Sequence, residues 1–224
     1  MTRVVDLTQP LGPATPGWPG DGPFAATVQE TVAEHGSYGR RVELHEHTGT
    51  HFDAPAHFVA DGPTVEAIPA ARLVVPARVI DVAERCAGDP DATLTAADID
   101  AHEAAHGRLA PGEALLVRTG WDHHLDDRAR YVDDLRFPGF GADAAARAVE
   151  RGLAGIGIDT LSVDRGCDDA YPVHLTTLPA GLWHLEGLVG IDALPAVGAT
   201  LVVGVPRVVD ASGFPARVLA LLPD

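Results

Sequence analysis

His47-Thr48-Gly49-Thr50-His51-Phe52-Asp53-Ala54-Pro55-Ala56-His57 is the stretch from which both the architecture and the chemistry are read. Its possible ligands or proton carriers fall at positions 47, 51, 53 and 57. A helix fails by angle: at ~100° per residue, His47 and His51 share a face, but Asp53 and His57 point away. Gly49 and Pro55 also oppose a helix. In an extended chain, all four odd-numbered side chains project to one side. A straight strand fails as well, because ~3.3 Å per residue sets the backbones of His47 and His51 about 13 Å apart. The spacing therefore predicts an extended segment that turns at Gly49-Thr50, is stiffened by Pro55, and lets its polar side chains converge.

Imidazole and carboxylate are usual donors to Zn²⁺ or Mn²⁺. Two histidines and one carboxylate leave positions open for water and substrate, and a carboxylate can bridge two ions. HxxxHxD followed by PxH therefore reads as a metal site rather than as surface histidines clustered by chance. There is no GxSxG elbow and neither cysteine sits in a nucleophile motif, so water is the expected nucleophile. Gly155-x-Gly157 is not a dinucleotide fingerprint, because no third glycine opens a helix after it.

Outward from this segment, strands dominate. Arg41 to Glu46 alternates like a half-buried strand, and Leu73 to Val82 is β-rich around Pro76. Thr95-Ala96-Ala97-Asp98 matches a capping box before a helix ending near Gly107. Glu113 to Thr119 reads as a strand, Ala142 to Arg151 as a helix stopped by Gly152, and Gly155 to Asp159 as a buried strand. Thr200 to Val205 and Val218 to Leu222 are further strands. The pattern predicts a mixed α/β class in a single domain over residues 1–224. Pro10 to Pro23, with five prolines and four glycines, is a shaped loop carrying Trp18.

The totals exclude several classes. Thirty-two acidic residues against 16 basic ones give a net charge of −16, with no basic cluster to meet nucleic-acid phosphates. No run approaches the ~20 apolar residues of a membrane span, and the N-terminus lacks an apolar signal region. Cys86 and Cys167, far apart, read as reduced thiols rather than a disulfide, and the expected location is cytoplasmic. His35, His102 and His106 read as surface residues, while His45, His123 and His124 could stand near the site rim.

The string HTGTHFDAPAH resembles the HxGTHxDxPxH signature of the cyclase-like metal-dependent hydrolases, which include bacterial kynurenine formamidases and isatin hydrolases. Pro16 to Asp21 is similar to the family's substrate-side loop, and Gly155 to Thr160 to its central buried strand. Val173-His174 and Leu185-Glu186-Gly187 look like its second pair of metal ligands. The resemblance implies a barrel-like mixed sheet of the swivelling β/β/α type, usually a homodimer or homotetramer. It implies one or two divalent ions, Zn²⁺ or Mn²⁺. His47, His51 and Asp53 would hold the first, Asp53, His174 and Glu186 the second. His57 would be the catalytic acid/base and Trp18 an apolar substrate wall. Leu175 stands where the formamidase branch carries a second basic or histidine residue.

The expected activity is hydrolysis of a C–N bond in a small molecule, either an aryl formamide (an arylformamidase-like reaction) or a cyclic amide. A divalent ion lowers the pKa of water from about 15.7 towards 7, so a nucleophile is available without any side chain. A lactone hydrolase or dehydrating cyclase on the same metal, and a non-catalytic metal-binding protein, are the alternatives.

Overall fold

The computed structural model describes residues 2–223. Nine strands form one sheet: β1 (Arg3–Asp6), β2 (His51–Asp53), β3 (Val74–Asp81), β4 (Ala114–Arg118), β5 (Gly155–Ile158), β6 (Trp183–Glu186), β7 (Ala199–Gly204), β8 (Gly213–Pro215) and β9 (Arg217–Leu222). Their spatial order is β1-β9-β7-β3-β4-β5-β6-β2-β8, and the sheet curls into a half-barrel. The inner four, β3 to β6, run parallel, and antiparallel strands extend both flanks.

Parallel strands are covered on both faces, so they read as unbroken apolar runs. In β4, Leu115 and Val117 face a core shared with two helices, whereas Ala114 and Leu116 face the core inside the curl. The two helices are α1 (Ala96–His106) and α2 (Ala142–Glu150). Thr95 and Asp98 cap α1 reciprocally, as the sequence predicts. Its successor α2 buries Ala144, Ala145 and Ala148, small side chains that let the helix lie close. Pro76 is tolerated inside β3 because β4 begins its pairing only at Ala77. A third, short helix, α3 (Pro172–Thr177), leads into β6.

Two expectations are corrected. Arg41 to Glu46 is not a half-buried strand: the strand is Gly39–Glu43, paired only with Ala25–Glu30 in a ribbon that stands off the sheet with exposed residues on both faces. The alternation of Val42 and Leu44 looked like a buried face, but no core covers the ribbon. His102 is not a surface residue but is buried on α1, its ring against His106. Among the described residues, no helix is long and apolar enough to cross a membrane.

Both cysteines are free: Cys86 is buried in the helix-side core and Cys167 is exposed. Burial pushes the Cys86 thiol up to about 12, which suppresses its thiolate. A colorimetric thiol titration of the native chain is expected to label Cys167 promptly and Cys86 only after denaturant is added. Two fast-reacting thiols would contradict this packing.

Candidate metal centre

Strand register assembles the cluster. In the antiparallel pair β2–β6, Asp53 lies opposite His184 and His51 opposite Glu186. Side chains alternate along a strand, so these four share one face, while Phe52 and Leu185 between them enter the core. The turn expected before β2 is present, with Gly49 at φ 66°. It returns His47 towards Asp53, and Pro55–His57 forms a tight 3-10 turn that carries His57 to the same place. On the other side of β2, Gly213 of β8 pairs with Asp53, and any Cβ on it would strike the His47 imidazole.

Asp53 is fully buried and serves both halves of the cluster. Its Oδ1 lies 2.6 Å from His47 Nδ1 and 3.2 Å from His51 Nε2. Its Oδ2 lies 3.7 Å from His174 Nε2 and 3.6 Å from His184 Nδ1. Glu186 also spans the two halves, with Oε2 3.3 Å from His51 Nε2 and Oε1 3.5 Å from His174 Nε2.

The outer ring nitrogens are engaged behind the cluster. His51 Nδ1 donates to the Gly49 carbonyl at 2.9 Å. His174 Nδ1 donates to Asp164 Oδ2 at 2.6 Å, and the same carboxylate accepts the Val173 and His174 amides at the start of α3. Ser212 gives its hydroxyl hydrogen to Glu46 at 2.9 Å and accepts from His47 Nε2 at 3.0 Å. With their outer nitrogens donating, the inner nitrogens of His51 and His174 present lone pairs to Asp53 or Glu186, as metal-ligating histidines do, while His47 Nδ1 is hydrogen-bonded to Asp53 Oδ1. His51 Nε2, Asp53 Oδ2 and His184 Nδ1 are buried with no hydrogen-bond partner. Acceptors facing acceptors in a dry interior need cations between them, so the donor set fits divalent metal.

With protons as the only cations, the same field shows as shifted titration. Burial works against charge on Asp53, yet His51 and His47 hold its carboxyl well below the usual range. Burial also opposes charge on His174, but the hydrogen bond to Asp164 and the neighbouring Asp53 and Glu186 carboxylates hold it up at about 10. His57 behaves oppositely: burial pushes it down to about 4, so its ring is neutral at pH 7.

The cluster floors a cavity of about 270 Å³. Trp18, Phe58, Leu161 and Tyr171 line it, Trp18 packing against Phe137 and Tyr171 with ring centres 6.4 and 6.3 Å away. His57 stands in the wall, stacked on His47 at 3.9 Å. His47, His51, Asp53, His57, His174, Glu186 and Trp18 thus converge on one place. His45 reaches the rim beside Asp21, whereas His123 and His124 line a different cavity with Cys86 and Arg130. Leu175 is 55% exposed and is not part of the lining. Four residues escaped the sequence reading: His184, Asp164, Ser212 and Glu46. For His184 a signal existed, since it stands two residues before Glu186 and therefore on the same strand face.

A curled mixed sheet that buries two carboxylates among imidazole lone pairs, beneath a small aromatic cavity, defines a metal-dependent hydrolase. The chain belongs to the cyclase family: residues 5–165 match the family model described as putative cyclase. It is 34% identical to an isatin hydrolase of Roseibium aggregatum, covering 99% of this chain and 92% of that protein. It is 33% identical to a kynurenine formamidase of Bacillus cereus, covering 95% and 94%. Among solved structures, isatin hydrolase A from Ralstonia solanacearum superposes with a TM-score of 0.93 at 34% identity, over 99% of this chain and 92% of that one.

Divalent metal at about 100 times its Kd is expected to stabilise the chelator-treated chain by about 2.7 kcal/mol, raising Tm by roughly 5–10 °C in a calorimetric scan. Gly213→Ala, which adds only a methyl group, is expected to displace His47 and abolish most of that rise. An unchanged Tm response in this variant would contradict the geometry.

Proposed function

We propose that the chain hydrolyses the C–N bond of a small, flat amide, with a cyclic amide preferred over an aryl formamide that carries an amino-acid side chain. The observation that carries this reading is the cavity itself. Its floor is the imidazole–carboxylate cluster, its walls are aromatic, and among the described residues that line it none is Lys or Arg. An aromatic ring finds apolar surface there, whereas a substrate carboxylate remote from the reacting bond finds no cationic side chain. Its similarity to isatin hydrolase and kynurenine formamidase supports amide chemistry.

We assign His47, His51 and Asp53 to one ion, and Asp53, His174 and Glu186 to a second, with zinc or manganese equally suited to mixed imidazole and carboxylate donors. When bound, such an ion polarises the carbonyl and makes water more acidic. Trp18 and Phe58 orient the ring of the substrate. His57 is neutral because burial disfavours its charged form, so it is free to take a proton from water in the cavity. It then returns that proton to the departing nitrogen. Stacking on His47 holds the ring in the wall while it does so.

The sheet runs from Arg3 to Leu222, which supports one domain over residues 1–224. The ribbon of Ala25–Glu30 and Gly39–Glu43 exposes Val28 and Val42, and the connection between its strands exposes Tyr38. Isolated two-stranded ribbons are marginal in water, which supports a homodimer in which a second copy covers it. Two free thiols fit a reducing, cytoplasmic setting.

A panel of isatin, N-formylkynurenine and simple lactones, each with and without chelator, tests the reading; isatin is expected to turn over fastest and chelator to stop it. His57→Ala is expected to lower kcat by about 10²–10⁴-fold with metal content unchanged. Full turnover in that variant would remove His57 from the mechanism, and a preference for lactones would replace the amide assignment.

A further inference from the structure

We infer that His184 is a fourth protein donor at the second cation position, beside Asp53 Oδ2, His174 Nε2 and Glu186 Oε1. This rests on the two-ion reading above and adds a residue to it.

One hydrogen atom decides the tautomer of His184. Thr177 Oγ1 lies 2.7 Å from the Val173 carbonyl and 2.7 Å from His184 Nε2. A carbonyl can only accept, so the single hydroxyl hydrogen of Thr177 goes to Val173. Thr177 Oγ1 must then accept from His184, which places the ring proton on Nε2 and leaves a lone pair on Nδ1. That Nδ1 is buried without a partner and points at Asp53 Oδ2, which is also buried without a partner. Thr177 and β6 thus fix the ring with its bare nitrogen towards the carboxylate.

Spacing separates the possible explanations. The contacts around this position are 3.5 Å (His174 to Glu186), 3.6 Å (His184 to Asp53) and 3.7 Å (His174 to Asp53). A hydrogen bond to a charged partner would draw these atoms to about 2.7–2.9 Å. Two donors each about 2.1 Å from one ion, at a tetrahedral angle, stand about 3.4 Å apart. All four donor atoms lie within 4.8 Å of one another, and all four residues are buried. The separations match donors surrounding an ion rather than residues hydrogen-bonded to each other.

His184 changes the character of the second position. Four protein donors close a site, as in structural zinc, whereas the first position keeps three donors and faces the cavity. The closed position should therefore release its ion slowly and the open one quickly.

The test uses the whole chain loaded with Zn²⁺. Elemental analysis after desalting is expected to give two ions per chain, and competition with a chromophoric chelator one slowly and one quickly exchanging ion. His184→Leu keeps the bulk and removes the lone pair. It is expected to hold one ion and to lose at least about 100-fold affinity for the other, beyond the 10–100-fold typical of an outer-shell partner. Two ions held with unchanged affinity in His184→Leu would overturn the inference, as would a wild-type chain that holds one ion which the substitution leaves undisturbed. A wild-type chain that binds no divalent ion would instead sink the metal reading underneath. Should His184→Leu fail to fold, ¹⁵N-histidine NMR of the wild-type chain decides. The His184 Nδ1 resonance is expected to shift on zinc addition while Nε2 keeps its proton, and an unmoved Nδ1 overturns the assignment.

Discussion

A single carboxylate, buried to the point of complete inaccessibility and ringed by imidazole lone pairs, sets the terms for the rest of this molecule. Left alone, Asp53 would be among the least stable groups a protein interior could hold, since a dry anion facing acceptors gains nothing from burial. The arrangement persists because each ring is tied down from behind by the Gly49 carbonyl, Asp164, Ser212 or Thr177. The supporting contacts decide which nitrogen is bare, and that choice turns a cluster of polar side chains into a receptor for positive charge.

The sheet serves this cluster through register. One residue of slippage between β2 and β6 would turn His51 and Asp53 into the core and bring Phe52 out to the floor of the cavity. Phe52 and Leu185, packed inside the curl, hold the register as firmly as any polar contact. The buried aromatic and aliphatic residues therefore position the ligands even though they never approach the site. The Asp159 carboxylate plays a comparable part on the neighbouring parallel strands, where it accepts the Thr119 and Gly120 amides and the Thr119 hydroxyl.

How much of this was legible in the sequence depends on the range of the interaction. The local pieces could be read directly: the capping box at Thr95, the turn at Gly49, and the parity that puts His51 and Asp53 on one side of a strand, whereas His47 arrives by the turn and His57 by a 3-10 turn. His174 and Glu186 were reachable only through family resemblance, because nothing local says that α3 and β6 return to β2. Ser212 and Glu46 were invisible, since a serine and a glutamate become informative only once chain reversal brings them to the same imidazole. The ribbon misled for a related reason: alternation marks a face to be covered but does not say by what. His184 was readable in part, because its spacing from Glu186 fixes a common face while its tautomer depends on a threonine hydroxyl.

The contact between His47 and Ser212 joins positions 165 residues apart in the chain. Closing a loop of that length costs more chain entropy than closing a local turn. The lip of chain at Ser212-Gly213 seats against β2 from the far end of the sequence and steadies the His47 imidazole there. A chain ending before Ser212 would contain every one of the cluster's ligands yet lack the hydroxyl that backs His47. The His47 side of the cluster is thus finished only by the C-terminal end of the chain, whereas Asp53, His174, His184 and Glu186 all lie upstream of it.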